Sequence, residues 1–167
     1  MRNFDMLVKL YELPENHTID PALSAEQIRI HRPMASDKDK IAGFVRRHFS
    51  EVWANEFEKA MCQNPVSCFV AVKEGREIIG FSCYDASYAN FFGPIGVLET
   101  YRGKNIGKEL LLHALYAMRE EGYAYGIIGW SSEKNAPFYE KAANATEIKD
   151  SFPGIYRNAI GLEACES

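Results

Sequence analysis

The feature that most constrains this chain is a basic, glycine-containing loop that joins an apolar strand to a long amphipathic helix. It spans residues 97–108 and carries Gly103 and Gly107 among the basic side chains of Arg102, Lys104 and Lys108. The first turn of a helix has N–H groups without intrahelical partners, and the helix dipole adds partial positive charge there. Because glycine lets an anion come close to the backbone, the loop predicts a site for a phosphate or pyrophosphate group.

Two common phosphate-binding patterns do not fit this loop. A P-loop needs a longer spacing between its glycines and a Ser or Thr after its lysine. Here Gly107 is one residue too close to Gly103, and Glu109 follows Lys108. The dinucleotide pattern Gly-x-Gly-x-x-Gly is also absent from the loop. The spacing therefore argues against a general nucleotide-phosphate binder, which stays an alternative.

Hydrophobic periodicity around the loop predicts a mixed α/β fold with helices on both faces of a sheet. Strands are expected at 28–31, 66–72, 77–84, 91–98 and 123–130, helices after Ser36 and Ser50, at 106–122 and at 136–143, and one or two further strands in the tail. The glycines and proline of 91–98 suggest a bulge or backbone left open to a ligand. The strand-helix-strand unit over 91–130 is long enough for a right-handed parallel crossover.

The chain divides into an N-terminal extension, residues 1–26, and a main domain, residues 27–167. Weak alternation over Leu7–Tyr11 is compatible with an added edge strand, and Pro14, Asn16 and Pro21 then interrupt regular structure. The extension either covers a face of the domain or supports a homodimer, and the sequence leaves both open.

Charge and composition exclude several classes of function. A net charge of -4 argues against general nucleic-acid binding, and 47% hydrophobic residues predict a substantial core. No stretch reaches the ~20 apolar residues of a membrane span, and residues 1–10 lack the order of a signal peptide. The 4 cysteines form no Cys-x-x-Cys pair and have no histidine at metal-ligand spacing. We therefore expect a cytoplasmic protein without a metal site.

Two segments together resemble the Gcn5-related N-acetyltransferase (GNAT) superfamily. The loop from Arg102 to Gly107 is similar to the family's Arg/Gln-x-x-Gly-x-Gly/Ala, with Asn105 where the first glycine usually stands. Asn135-Ala136-Pro137-Phe138-Tyr139-Glu140-Lys141 is similar to its second cofactor segment in compressed form, and Ala143-Asn144-Ala145 replaces the usual Gly-Phe. The resemblance implies a mostly antiparallel sheet with one parallel strand pair, which spreads into a wedge for the cofactor.

The same resemblance implies acetyl-coenzyme A as co-substrate and an amine as its partner. Cofactor contacts carry over to Val97, Leu98, Arg102, Gly103, Lys104, Asn105, Ile106, Gly107, Lys108, Asn135 and Phe138. Backbone groups of Val97 and Leu98 would pair with the pantetheine arm, and the Val97 N–H would polarise the thioester carbonyl. Tyr139 would protonate the departing thiolate. The activity implied is acetyl transfer to an amine in a ternary complex, and a non-catalytic coenzyme-binding sensor is the alternative.

The general base is the least defined part of this prediction. An alkyl ammonium costs about 4 kcal/mol to deprotonate at pH 7, so a base is useful. Glu99 is the candidate nearest the acetyl site in sequence, followed by Asp85, Tyr84 and Glu133. The acceptor pocket is expected to draw on Trp53, Glu56, Tyr84, Asp85, Tyr88, Phe91, Phe92 and Trp130. Such a composition suits a cationic amine of modest size, and it leaves the small molecule, amino sugar or peptide amine unidentified.

Overall fold

The computed structural model describes residues 1–161 and contains one seven-stranded sheet. The strands are β1 (Asn3–Lys9), β2 (Ile28–His31), β3 (Cys68–Lys73), β4 (Glu77–Tyr84), β5 (Phe91–Val97), β6 (Tyr125–Ser132) and β7 (Thr146–Ile148). Their spatial order is β2-β3-β4-β5-β6-β1-β7, and every neighbouring pair is antiparallel except β5 and β6. The expected mixed sheet with one parallel pair is therefore confirmed.

Five α-helices accompany the sheet within the described residues. They are α1 (Pro21–Ala25), α2 (Lys38–His48), α3 (Glu51–Met61), α4 (Ile106–Glu120) and α5 (Ala136–Ala143). Local capping explains two of their ends. The Ser50 hydroxyl accepts a hydrogen bond from the Trp53 N–H at 3.1 Å and starts α3. Gly122 adopts a positive φ of 99° and ends α4, as the sequence predicted.

Helices cover both faces of the sheet, because alternate residues of each strand point to opposite sides. One core joins α4, α1 and α5 to residues such as Phe69 and Ile79. The other joins α2 and α3 to residues such as Val70 and Phe81. The expectation of helices on both faces is thus confirmed. Among residues 1–161, no helix is both long and apolar enough to cross a bilayer.

The N-terminal strand differs from the edge strand that its weak alternation suggested. β1 pairs with β6 along most of its length and with β7 over Asp5–Leu7, so it has a neighbour on each side. Its side chains Phe4, Met6 and Val8 are buried in the same core as α4. Sequence periodicity could not show this, because alternation reports which face of a strand is buried and not whether the strand has one neighbour or two. The division of the chain after residue 26 stays a prediction.

β6 also departs from the sequence expectation of a strand buried on both faces. Its residues alternate between buried and partly exposed, and Tyr125 and Trp130 are 45% and 36% exposed. The reason is that β6 separates from β5 after a short parallel contact. Its exposed positions Gly129 and Trp130 then line a large cavity.

Candidate active site

The cavity begins where the parallel strands separate. β5 and β6 pair only through Phe91 with Ile127 and Phe92 with Ile128, within the described residues. The β4–β5 register shifts between Ser82 and Tyr84, so the segment around Gly93 forms the bulge that its composition suggested. The bulge bends β5 away from β6 and leaves a gap between the two strands.

Backbone groups of β5 point into this gap. The Leu98 N–H donates to the Ile79 carbonyl of β4 at 2.9 Å. Bonded and non-bonded pairs alternate along an antiparallel ladder, so Val97, opposite Gly80, turns its N–H and C=O away from β4. Ile95, two residues earlier in β5, turns its N–H and C=O away from β4 in the same way. The Val97 N–H thus points into the gap, as the resemblance implies, whereas the Leu98 N–H is already used by the sheet.

The loop after β5 presents further N–H groups at the start of α4. The first intrahelical bond runs from the Glu109 N–H to the Asn105 carbonyl, so Ile106, Gly107 and Lys108 precede it. Asn105 has a φ of 64°, the left-handed conformation that favours glycine. Its conformation explains why asparagine, which tolerates this region better than most residues, stands there.

The basic side chains of the loop have different environments. Arg102 and Lys108 line the cavity. Arg102 also donates from Nε to the Val97 carbonyl at 3.4 Å. Lys104 lies outside the cavity lining and pairs with Glu26 at 2.9 Å. Two of the three predicted cations therefore face the space where an anion would bind.

The cavity unites most of the predicted cofactor residues. Its volume is about 1410 Å³. The predicted cofactor contacts that line it are Val97, Arg102, Gly103, Asn105, Ile106, Gly107, Lys108, Asn135 and Phe138. The predicted proton donor, Tyr139, lines it as well. Leu98 and Lys104 are outside the lining. This volume accommodates an elongated substrate together with a second, smaller one.

Tyr139 lies on the cavity wall in the first turns of α5. Its ring packs edge-on against Phe92 with centroids 6.4 Å apart, and the side chain is 9% exposed. Burial raises the pKa of its phenol to about 12. The phenol is therefore protonated at neutral pH, as a proton donor to a thiolate must be.

The four base candidates from the sequence lie away from the cavity lining. Glu99 is exposed on a short 3₁₀ turn. Asp85 accepts hydrogen bonds from the Asn90 N–H and the Tyr123 hydroxyl, and Glu133 pairs with Arg2. The fully buried Tyr84 donates to Glu121 at 2.8 Å.

Glu56 is the one carboxylate among the described residues that line the cavity. It projects from α3 and accepts a hydrogen bond from the Ser87 hydroxyl at 2.6 Å. Burial raises its pKa, and the Ser87 bond opposes that shift. Aromatic side chains surround the same part of the cavity: Phe49, Trp53, Tyr88, Phe92, Trp130 and Tyr156. Of the sequence-predicted acceptor residues, the structure leaves Tyr84, Asp85 and Phe91 outside the lining.

Sequence reasoning missed the contribution of the C-terminal turn. Tyr156 follows a short turn after β7, and its ring meets that of Trp130 with centroids 4.8 Å apart. Burial, with the charges of Asp5 and Glu56, raises the pKa of the Tyr156 phenol. The segment carries no motif, and only the path of the chain after α5 brings it to the cavity.

Cysteine and metal chemistry find no support in the described residues. Cys68 and Cys83 face each other across β3 and β4 and are buried, as small core residues should be. Burial raises the pKa of the Cys68 thiol to about 12, which removes its thiolate at neutral pH. His113 is held by the Glu109 carbonyl at 2.7 Å. Residues 1–161 contain no cluster of three or more metal-ligating side chains.

Comparison with solved structures identifies several proteins of the same fold. A GCN5-related glucosamine N-acetyltransferase region of a fungal multi-domain β-N-acetylglucosaminidase superposes with a TM-score of 0.70 at 16% identity, over 87% of this chain and 20% of that one. A GCN5-related N-acetyltransferase from Sphaerobacter thermophilus superposes with a TM-score of 0.65 at 19% identity, over 87% of this chain and 48% of that one. A GNAT family acetyltransferase from Brucella melitensis, in complex with acetyl-CoA, superposes with a TM-score of 0.52 at 16% identity, over 68% of this chain and 82% of that one.

The chain thus spans about a fifth and about half of the length of the first two structures. At these identities the likeness shows the fold. No curated protein sequence matches the chain significantly. The family model for the acetyltransferase (GNAT) family matches residues 43–144, more than half of the chain. With the separated strands and the loop before α4, this match shows that the chain belongs to the GNAT acetyltransferase family.

Proposed function

We propose that this protein transfers the acetyl group of acetyl-coenzyme A to a primary amine that binds as a cation. The observation that carries the proposal is a single cavity that contains both the groups suited to bind the acetyl donor and a carboxylate that could deprotonate the amine. Val97, whose N–H is turned away from β4, and the loop before α4 line this cavity, and so do Glu56 and its aromatic neighbours. Acetyl-coenzyme A also agrees with the family assignment and with the acetyl-CoA complex of the Brucella protein.

The loop and β5 bind and orient the donor. Unpaired N–H groups at the start of α4, with Arg102 and Lys108, suit the pyrophosphate. The N–H of Val97 suits a carbonyl of the pantetheine arm, which continues the sheet as an added strand. Holding donor and acceptor together lowers the entropic part of the barrier.

Glu56 takes the proton of the bound ammonium, and the neutral amine then attacks the acetyl carbonyl carbon. The C–N bond forms as the C–S bond breaks, and Tyr139 donates its phenolic proton to the departing thiolate. The nitrogen then loses its second proton to the Tyr139 phenolate, so the products are the N-acetylated amine, coenzyme A and the proton held by Glu56. A carboxylate with a raised pKa is a better base than an exposed one. The aromatic walls stabilise the ammonium by cation–π contact and exclude bulk water.

The first experiment measures binding and turnover separately. Melting temperature is followed against acetyl-coenzyme A, coenzyme A and ATP, and thiol release is followed with a panel of primary amines and their neutral alcohol analogues. We expect stabilisation by both coenzyme forms and not by ATP, because a ligand that binds the folded state raises the melting temperature. Thiol release with an N-acetylated product is expected for cationic amines only.

A set of three carboxylate variants tests the base. We expect Glu56→Gln to lower kcat by about 100-fold at pH 7 and to recover partly near pH 10, where the free amine is abundant. Glu58→Gln, on the same helix but outside the cavity lining, is the matched control. Glu99 stays a predicted base as well, and a loss confined to Glu99→Gln would transfer the role to it.

The alternative function, a coenzyme-binding sensor without turnover, predicts a different result. Stabilisation by coenzyme A without thiol release for any amine would support that function. Both Tyr139 and the carboxylate of Glu56 line the cavity, so the arrangement favours the enzyme.

A further inference from the structure

The chain between β1 and β2 lies along the outer side of α4. The Tyr116 hydroxyl donates to the Pro14 carbonyl at 2.8 Å. Arg119 donates to the carbonyls of Leu13 and Glu15, each at 3.1 Å. These contacts attach residues 13–15 to the C-terminal half of α4. We call residues 13–26 the strap.

A partly buried pair attaches the middle of the strap to the first turns of α4. His17 Nε2 lies 2.6 Å from Glu109 Oε2, and Glu109 is 2% exposed. The Asp20 N–H lies 3.4 Å from the other carboxylate oxygen of Glu109. A buried carboxylate needs partners, so Glu109 draws the strap toward the start of the helix.

Asp20 then contacts the loop that lines the cavity. Its Oδ1 accepts from the Ala22 N–H at 2.9 Å and caps α1, while its Oδ2 accepts from Asn105 Nδ2 at 2.9 Å. The hydrogen bond from Asn105 has the largest effect on the pKa of the Asp20 carboxyl, and the bond from Ala22 follows. Both lower this pKa, so the carboxyl is charged at neutral pH. A second contact joins Lys104 to Glu26 at 2.9 Å.

We propose that Asp20 is a positioning residue for the donor site: it holds Asn105 in the left-handed conformation that aims the N–H groups of the loop at the pyrophosphate. The inference rests on the proposed function, because it assumes that coenzyme A binds at this loop. It goes beyond that function in giving the strap a role in donor affinity.

The physical reason is the backbone conformation of Asn105. Its φ of 64° costs free energy for any residue with a side chain, and glycine avoids that cost. A charged hydrogen bond from the strap offsets the cost and selects one conformation of the loop. Without it, Asn105 populates other conformations, and the N–H groups that follow lose their common direction.

The experiment is a double-mutant cycle read by equilibrium binding of coenzyme A, with calorimetry as the measurement. Asp20→Ser keeps a side-chain cap for α1 but is too short to reach Asn105. Asn105→Gly removes the need for the contact, because glycine adopts the left-handed region freely. Melting temperatures without ligand verify that all four proteins are folded.

We expect Asp20→Ser to weaken coenzyme A binding by about 5- to 10-fold, the size of one ordinary hydrogen bond, because the contact is exposed to solvent. Whatever affinity Asn105→Gly itself has, Asp20→Ser should have no further effect in that background. Equal weakening in both backgrounds would overturn the proposal, and so would no weakening in either. Tighter binding by Asp20→Ser would also overturn it and would identify Asp20 as a charge that repels the phosphate.

Failure of the underlying function has a different signature. If coenzyme A does not bind the wild type at all, the donor site itself is wrong and the role of Asp20 falls with it. If the wild type binds but the cycle shows no coupling, only the role of Asp20 is wrong.

Discussion

The donor side and the acceptor side of the cavity are built in different ways. The proposed donor side comes mainly from one continuous stretch, residues 97–108, and presents backbone groups at a strand end and a helix start. The acceptor side is assembled from side chains of α3, the loop before β5, β6 and the C-terminal turn. Backbone recognition needs a local conformation, whereas side-chain recognition needs distant segments to meet.

This difference explains why a family shares its donor site and varies its acceptor. Backbone N–H groups and a helix dipole tolerate many sequences, as long as the turn is kept. A pocket of side chains changes with each substitution, so fold likeness says little about its ligand. Variants on the donor side should therefore alter coenzyme binding, and variants on the acceptor side should alter amine kinetics alone.

The largest expected effect is on the donor side, at Gly107. A Cβ at this position would lie 3.8 Å from both Phe138 and Val97, so the fold tolerates a side chain. Gly107→Trp would fill the space in front of the loop, and we expect coenzyme A affinity to fall by about 100-fold or more. Isothermal calorimetry measures the loss.

Gly107→Ala is the matched control for this variant. Its methyl group meets its neighbours at ordinary van der Waals distance, so the melting temperature without ligand should stay unchanged. Wild-type affinity in Gly107→Trp would contradict the placement of the donor and remove the distinction between the two sides.

Tyr139 tests the boundary between the two sides. Tyr139→Phe removes the proton donor but keeps the ring against Phe92, so we expect kcat to fall about tenfold with the KM for acetyl-coenzyme A unchanged. Steady-state kinetics with thiol detection separates the two parameters.

Tyr123→Phe serves as the control for a lost phenol. The pKa of Tyr123 is also raised to about 12, there by its hydrogen bond to Asp85, but its side chain is outside the cavity lining. We expect unchanged kcat. A fall in both variants would mean that kcat reports fold stability and not proton transfer.

Tyr88 tests the acceptor side at its rim. The side chain is 60% exposed and lines the cavity, so Tyr88→Leu removes a cation–π partner without opening the core. We expect the KM for the amine to rise about threefold, with coenzyme A affinity unchanged. Tyr125→Leu, an exposed tyrosine outside the lining, should leave the KM unchanged; an equal rise would exclude specific recognition.

The smallest expected effect is on stability, through Glu56. Burial raises its pKa, so the folded protein binds this proton more tightly than the unfolded chain does. The stability associated with Glu56 is therefore present at low pH and is lost as pH rises through the folded pKa. Glu56→Gln should raise the melting temperature by about 1–2 °C at pH 8 and by less at pH 4.

Calorimetric scans of Glu56→Gln and Glu58→Gln at both pH values measure this effect. A decrease for Glu56→Gln at pH 8 would show that the charged carboxylate stabilises the fold, contrary to a buried base. Glu56 would then be a structural carboxylate, and the acceptor side would lack its proposed base.

Much of the donor side was predictable because its signals are local. The loop composition, the helix that follows it and the stop at Gly122 all lie within a short stretch of sequence. Local rules also located α5 and the cap of α3 at Ser50. The proposed base was less predictable, because Glu56 becomes a partly buried carboxylate only when α3 packs beside the loop that carries Ser87.

By itself, the sequence determined the class of fold, the family and the loop proposed to bind a pyrophosphate, since each depends on periodicity or on conformations within a few residues. Only the tertiary structure placed β1 inside the sheet, brought Tyr156 to Trp130 and attached Asp20 to Asn105. These contacts join residues far apart in sequence. Their formation depends on how the chain packs, and no local pattern encodes which distant side chains will meet.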